Sequence, residues 1–368
     1  VATDIVENAK KTKIRLKYTP RSEGYTYTHD NPEFNTKDRS VNIHDITIGK
    51  IEGVEQFTLL NHELGHVMFD SPLESGRRMI EKWVAVYDVD GDIKTHIFKT
   101  YWSALNLIED QRIEYLMGKL WLKNQVRFKK SRLNVGNELY DDTENSEDSL
   151  KYNPIHCLQA VRFFKGSLVK DNIAYKLIKK ILEDIEGTGP KGSLVALRML
   201  KEYLDVFINS KIDECDEISD KLNNAYDEQQ NIPIGNDSLE HDKRELRINQ
   251  LNNELQNKTK DFNDNINISK HGIQRYGEEH NPENGIEMEN TRAYEGDNSV
   301  DDEGEIGDKV TKESLEEQME DAKEQGKKQF ADVKEAVENG SNECSASGTN
   351  TNNVRSGSGT GIPLTEIA

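Results

Sequence analysis

The sequence predicts an α+β fold: a small N-terminal sheet, then a mainly α-helical region, then an acidic disordered tail. Residues 13–50 alternate apolar and polar side chains, as half-buried strands do, and from about residue 52 the apolar residues recur at helical spacing. Beyond about residue 268 few apolar residues remain. The whole chain of 368 residues is 34% hydrophobic and 32% charged, which is too polar for one compact globule.

The predicted strands are "KIRLKYT", "YTYT" and "SVNIHDITIG", separated by the turn-forming segments "RSEG" and "HDNPEF". Helical patterns follow around residues 57–68 and 100–128, and three amphipathic helices are predicted within 154–210. Ile248, Leu251, Leu255 and Phe262 then keep a heptad-like spacing that favours one half of a helical hairpin.

These patterns predict four regions: a core at 1–140, a helical bundle at 150–235, a heptad-like helix at 236–267 and an acidic low-complexity linker or tail at 268–368. Within that tail, a charged helix is predicted near 309–337.

The charge and the cysteine content limit which classes of binding partner and which cellular compartment are expected. A formal net charge of −20 argues against nucleic acid and against an anionic membrane as the main partner. The three cysteines, Cys157, Cys215 and Cys344, are odd in number and widely spaced, so they predict no disulfide framework. The sequence has no apolar signal segment and no apolar run long enough for a membrane span, and a cytoplasmic protein is therefore expected.

The segment "FTLLNHELGHVMFDSP" contains His62-Glu63-x-x-His66. On a helix the two histidines lie one turn apart on the same face, so both imidazoles can bind one metal ion. Phe57, Leu60, Leu64, Val67 and Met68 fall on the opposite side, which predicts an apolar back and a histidine face toward a cleft. The alternative is a polar helix face with two incidental histidines.

A second helical segment, "NLIED", offers a third ligand. Glu109 lies in the middle of an apolar stripe, where a carboxylate is costly to bury unless it is paired or bound to a metal. Asn106 and Asp110 flank the same stripe. Glu109 with the two histidines would give a three-ligand zinc site with an open fourth position, as catalytic sites have. The alternative is an ion pair between Glu109 and Arg112.

"HELGH" followed by "NLIED" resembles the gluzincin branch of zinc metallopeptidases. "HELGHVMFDSP" with "ALNLIEDQRIE" is similar, over about residues 40–125, to metallopeptidase-like proteins of bacteria and phages that precede a von Willebrand A domain and are distant relatives of cobaltochelatase subunits. The resemblance implies a zincin-like core, Zn²⁺ held by His62, His66 and Glu109, and Glu63 as the general base. It also implies that an upstream strand, here "SVNIHDITIG", pairs with an extended peptide; the alternative is an ordinary half-buried strand.

Two carboxylates are candidates for supporting a zinc-bound histidine. In thermolysin-like enzymes an Asp follows the Glu ligand by four residues; Ile113 stands there, and Asp110 is the substitute candidate. Asp70 either accepts a hydrogen bond from a histidine or only ends its helix. Among the groups that could stabilise an oxyanion, Tyr87, His96, Tyr101 and Tyr115 have suitable chemistry but no spacing that selects one.

The expected function is therefore a zinc-dependent metallopeptidase that hydrolyses peptide bonds with metal-activated water. It would act on a peptide or protein substrate, in the host cytoplasm or a virion if phage-encoded. The alternative is a non-catalytic assembly or interaction protein, of a phage particle or a chelatase-type complex, with a structural zinc site. In either case a protein partner could bind the helical region or the acidic tail. A third reading has no metal.

Overall fold

The structure is a computed structural model, and it describes residues 2–10, 12–18, 27–31, 43–48, 56–89, 91–141, 151–230, 238–261 and 311–347. Helices dominate this part of the chain. Their bounds are α1 (Ala2–Lys10), α2 (Gln56–Met68), α3 (Leu73–Ala85), α4 (Gly91–Leu120), α5 (Leu122–Asp141), α6 (Pro154–Arg162), α7 (Tyr175–Asp184), α8 (Lys191–Gln230), α9 (Ser238–Asp261) and α10 (Lys312–Ser347). The strands are β1 (Lys13–Tyr18), β2 (Tyr27–Asn31) and β3 (Ile43–Ile48).

The prediction of an α+β class is wrong, because helices make up most of the described part of the chain and the fold is predominantly α. β1 and β3 lie within the predicted strands "KIRLKYT" and "SVNIHDITIG", whereas β2 includes residues 29–31 of the predicted turn "HDNPEF". All three strands are short and contribute few residues beside helices as long as α4 and α8. The core is accordingly built between helices, and the strands are an accessory at its N-terminal end.

The strands pair in the order β1-β3-β2, with β1 parallel and β2 antiparallel to β3. The central strand is therefore the one expected to pair with an extended peptide. Its backbone groups over 43–48 are already shared with two neighbouring strands, so β3 offers no edge for β-strand addition. That interpretation of "SVNIHDITIG" is wrong for a physical reason, the loss of both edges.

Helix α4 connects two hydrophobic clusters. Its first half, including Tyr101, Leu105 and Ile108, packs with side chains from α3, α5, α6, α7 and α8. Its second half, including Ile113 and Met117, packs with side chains from α1, β3 and α2. The polar residues between these halves therefore lie where the two clusters meet. The predicted regions 1–140 and 150–235 share the first of these clusters.

The helical predictions downstream agree with the structure. The three helices expected within 154–210 are α6, α7 and a longer α8. Asn153 begins α6, because its side-chain oxygen accepts hydrogen bonds from the backbone N–H groups of Ile155 and His156. Helix α9 packs along α8 as the predicted hairpin, through Ile248, Leu251 and Leu255. Phe262 lies outside the described residues.

A helix is present within the predicted tail, where one was expected near 309–337, and it extends over Lys312–Ser347 as α10. It packs against α1 and α8, so this part of the chain is not a disordered linker. Leu315 and Met319 join the first hydrophobic cluster, whereas Val333 and Val337 join the second. The charged helix expected near 309–337 is this element, and its apolar residues face the core. The parts of the predicted tail at 268–310 and 348–368 lie outside the described residues.

None of the helices in the described part of the chain has both the length and the apolar character that crossing a lipid bilayer requires.

Substitution of Gly326 tests how closely α10 is docked. A Cβ at this position would lie 2.2 Å from the carbonyl oxygen of Gly187 and 2.5 Å from the nitrogen of Gly189, and backbone atoms cannot move aside cheaply. We expect Gly326→Ala to lower the free energy of unfolding by about 1–3 kcal/mol in urea denaturation. Gly91→Ala is the matched control, since a Cβ there meets nothing within 4 Å. Equal stability of the two variants would contradict this docking.

Candidate metal centre

Three donor atoms from two helices converge in the interior. His62 and His66 of α2 bring their Nε2 atoms to 3.3 Å from each other. The Oδ1 atom of Asp110, on α4, lies 3.4 Å from the Nε2 atom of His62 and 3.6 Å from that of His66. These three side chains form a buried group that could hold a metal ion.

The separations of the donors fit a small tetrahedral ion. With donor bonds of about 2.0–2.1 Å, as zinc has to imidazole nitrogen, a tetrahedron has edges of about 3.3–3.4 Å. The observed separations of 3.3, 3.4 and 3.6 Å are close to these edges. Two imidazoles with one carboxylate also disfavour Mg²⁺ and Ca²⁺, which prefer oxygen donors.

The second nitrogen of each imidazole has a partner that orients the ring. His62 Nδ1 lies 3.2 Å from Oε1 of Glu114, one turn beyond Asp110 on α4. His66 Nδ1 lies 2.8 Å from the hydroxyl of Ser71. Because that hydroxyl donates its hydrogen to Glu109, its oxygen accepts from the Nδ1–H of His66. Such partners hold a hydrogen on each Nδ1, so that the lone pair of each Nε2 points toward the shared centre.

The end of α2 explains how Ser71 reaches His66. Asp70 has a φ of 49°, a left-handed conformation that ends the helix, and the N–H of Ser71 then donates to the carbonyl of His66 at 3.1 Å. The Asp70 side chain is exposed and contacts Lys10 at 2.6 Å and Gln329 at 3.0 Å. Of the two roles considered for Asp70, the structure shows the helix terminator, and Ser71 is the residue that contacts the histidine.

Glu109, the predicted third ligand, lies outside the group of donors. Its carboxylate accepts hydrogen bonds from Arg112 at 2.6 and 2.8 Å, from Ser193 at 2.5 Å and from Ser71. The structure thus shows the ion pair with Arg112 that was the alternative for this residue. Among the described residues, Ser71 links Glu109 to the group of donors, through His66.

The remaining predicted site residues are buried on both helices. Glu63 has no exposed surface and is close enough for its charge to act on His62. Asn106 is buried on α4, one turn before Asp110. The histidine face of α2 packs against α4, so the expected cleft in front of the histidines is closed in this structure.

Besides Ser71, three residues around the centre were not predicted: Glu114, Arg132 and Arg162. Arg162, at the end of α6, lies with one guanidinium nitrogen 2.9 Å from Glu114 and 3.5 Å from Asp110, and Arg132 lies 3.3 Å from Glu114. The i, i+4 spacing of Asp110 and Glu114 could have indicated Glu114, because both lie on one face of the helix. No sequence pattern relates the two arginines to α4.

Charge in the centre shifts two pKa values. Burial alone would lower the pKa of His62, but Asp110 and Glu114 outweigh it and raise the pKa well above its usual value. Burial would raise the pKa of Glu114, but Arg162, His62 and Arg132 outweigh it and lower the pKa. The carboxylates thus favour positive charge at His62.

The other side chains considered for catalysis lie outside the metal centre. His156 and Cys157 are buried in the core, where burial lowers the pKa of His156 to about 4 and raises that of Cys157 to about 12, the opposite of an activated pair. Tyr87 and Tyr101, considered for an oxyanion, both donate to Asp205 of α8.

Comparison of the chain with protein-family models, with curated proteins and with solved structures gives no match.

Separate amide substitutions of Asp110 and Glu109 distinguish a metal ligand from a structural ion pair. We expect Asp110→Asn to lower zinc affinity at least about tenfold with little loss of stability. Glu109→Gln should instead destabilise the fold by about 3–5 kcal/mol, because Arg112 would remain buried without its counter-charge. Isothermal titration with Zn²⁺ and urea denaturation measure the two effects. Loss of zinc from Glu109→Gln under conditions where it is folded, with Asp110→Asn unaffected, would reverse the assignment.

The buried His156 predicts a loss of stability in acid. Its pKa rises from about 4 in the folded chain to the ordinary 6.5 on unfolding. The unfolded chain therefore binds more protons between these values, and stability falls as the pH falls through that window, by about 3 kcal/mol at most. His156→Gln should lose less stability than the wild type between pH 6.5 and 4.5. Urea denaturation of both metal-free proteins measures this, and parallel pH profiles would contradict it.

Proposed function

We propose that the chain binds Zn²⁺ through His62, His66 and Asp110 and hydrolyses peptide bonds at this centre. The observation that carries the proposal is the set of three donor separations, which match the edges of a zinc tetrahedron. Asp110 takes the ligand position first expected for Glu109, and the His-Glu-x-x-His spacing of α2 is unchanged.

The number of donors favours a catalytic over a structural site. Structural zinc sites have four protein ligands, whereas catalytic sites have three and keep one position open. The group found among the described residues has three. When bound, zinc would lower the pKa of water at the open position toward neutrality, which supplies a nucleophile at physiological pH.

Glu63 is the residue we assign to proton transfer. It follows His62 directly, is fully buried, and acts electrostatically on that histidine. A carboxylate in this position accepts the proton of the attacking water and then returns it to the leaving amine. Glu114 and Ser71 orient the imidazoles, and Arg112 fixes Glu109, so these residues hold geometry and transfer no proton.

A second candidate rests on burial. The side chains of His62, His66 and Asp110 have 5%, 1% and 2% of their surface exposed, so a peptide reaches the donors only if neighbouring elements move. A buried centre of this kind also suits a metal that stabilises α2 against α4 in a non-catalytic assembly or interaction protein. The two functions predict different behaviour of Glu63.

Glu63→Gln separates the two functions. For the peptidase we expect a stoichiometric zinc content to be retained while cleavage of an unfolded protein substrate falls at least about 100-fold. Elemental analysis and a fluorescent casein assay measure these quantities. Glu81→Gln, an exposed glutamate of α3 paired with Arg77, is the matched control and should cleave like the wild type. Wild-type zinc content without cleavage, or with cleavage unchanged in Glu63→Gln, would favour the structural role. A wild type that binds no zinc would reject both functions.

A further inference from the structure

Asn106 of α4 is a buried amide without a partner. It has 2% of its surface exposed, and neither its Oδ1 nor its Nδ2 atom makes a hydrogen bond within the described part of the chain. The other buried asparagines differ, because each has a side-chain hydrogen bond; they are Asn61, Asn124, Asn153 and Asn172. A buried amide left unsatisfied is destabilising, and a leucine of similar size would avoid the penalty. We therefore expect the Asn106 amide to form its hydrogen bond with a group outside the described residues.

The position of Asn106 on α4 relates it to the metal centre. It precedes Asp110 by four residues and Glu114 by eight, so the three side chains follow one another along one helix face. Asp110 and Glu114 of this face both contact His62. Helical side chains lean toward the N-terminus, so the Asp110 carboxylate leans over the turn that carries Asn106.

The two ends of this polar face are occupied differently. At Glu114 the carboxylate is bound by Arg162 at 2.9 Å and Arg132 at 3.3 Å, and protein groups thus fill that end. At Asn106 none of the described residues bonds the amide. An external ligand of the metal centre would therefore find its polar contact at the Asn106 end.

We propose that Asn106 contacts the ligand at the open fourth position of the metal centre, with its Nδ2–H donating to that ligand. For a peptide substrate, the ligand that receives this hydrogen bond is the attacking water or the carbonyl oxygen. The inference rests on the proposed metal centre but not on its catalytic competence. It assigns Asn106 to the substrate and not to the metal.

The test uses cobalt in the full chain, with azide as a small anion that can occupy an open metal position. Azide binding to Co²⁺-loaded protein is followed by visible absorption. We expect Asn106→Leu to weaken azide binding about tenfold or more, the effect of one hydrogen bond to a charged group. Cobalt affinity should change less than threefold. Because the leucine removes an unsatisfied amide, the metal-free variant should melt about 2–4 °C higher than the wild type.

Ser131→Ala is the matched control. Its hydroxyl on α5 is likewise buried without a hydrogen-bond partner among the described residues, but it does not share the α4 face. Azide affinity in this variant should equal that of the wild type. A reduction equal to that in Asn106→Leu would show a general effect of repacking and would overturn the proposal.

Three further outcomes would overturn it. Unchanged azide affinity in Asn106→Leu would show that Asn106 does not contact the bound anion. A loss of cobalt affinity beyond tenfold would show that Asn106 is a metal ligand. A lower melting temperature of the metal-free variant means that the amide has a structural partner. A wild type that binds cobalt but not azide has no reachable fourth position, which overturns the inference but leaves the structural metal role. Failure of the catalytic proposal is recognised separately, by the Glu63→Gln comparison.

Discussion

The ion pair between Glu109 and Arg112 fixes the arrangement around the centre. Both side chains are fully buried, and the guanidinium also donates to the backbone carbonyls of Phe69 at 2.9 Å and Thr188 at 3.3 Å. The pair therefore joins α4 to the segment after α2 and to the loop before α8. Breaking such a pair from one side costs about 3–5 kcal/mol, because the remaining charge stays buried. The same loop receives α10, through the hydrogen bond from the N–H of Gly189 to the carbonyl of Ala322 at 2.7 Å.

This ion pair sets the direction of Asp110. Consecutive residues on a helix differ by about 100°, so a helix held at Glu109 presents Asp110 on a different side, toward α2. Glu109 still contributes to the centre, since it receives the hydroxyl hydrogen of Ser71 and thereby fixes the hydrogen bond from His66. One turn of α4 thus provides both the fixed structural charge and the donor to the metal. A change at Glu109 would affect His66 through two hydrogen bonds, whereas a change at Asp110 would alter the group of donors itself.

The sequence was sufficient for the histidine pair, since a spacing of four residues on a helix determines that both rings share a face. It could not choose between Glu109 and Asp110, because a helical wheel shows which residues are buried but not which buried side meets α2. That choice depends on Arg112 and its tertiary contacts with Phe69 and Thr188. The fold class was predicted wrongly for a related reason: the strand patterns were real, but pattern alone does not weigh a small sheet against the helices around it. Helix α10 was recognised only as a charged helix, since its apolar positions are sparse and their partners are distant in sequence.

The buried carboxylates of the centre lie beside cationic side chains. Arg162 lies beside both Asp110 and Glu114, and Arg132 lies beside Glu114. The two carboxylates raise the pKa of His62 well above its usual value. Because these carboxylates favour positive charge at His62, a metal ion bound here would compete with a proton on that imidazole. Metal binding must displace that proton, because a protonated imidazole has no lone pair on Nε2 to give. The same carboxylates that would attract a cation thus also stabilise its competitor, the proton.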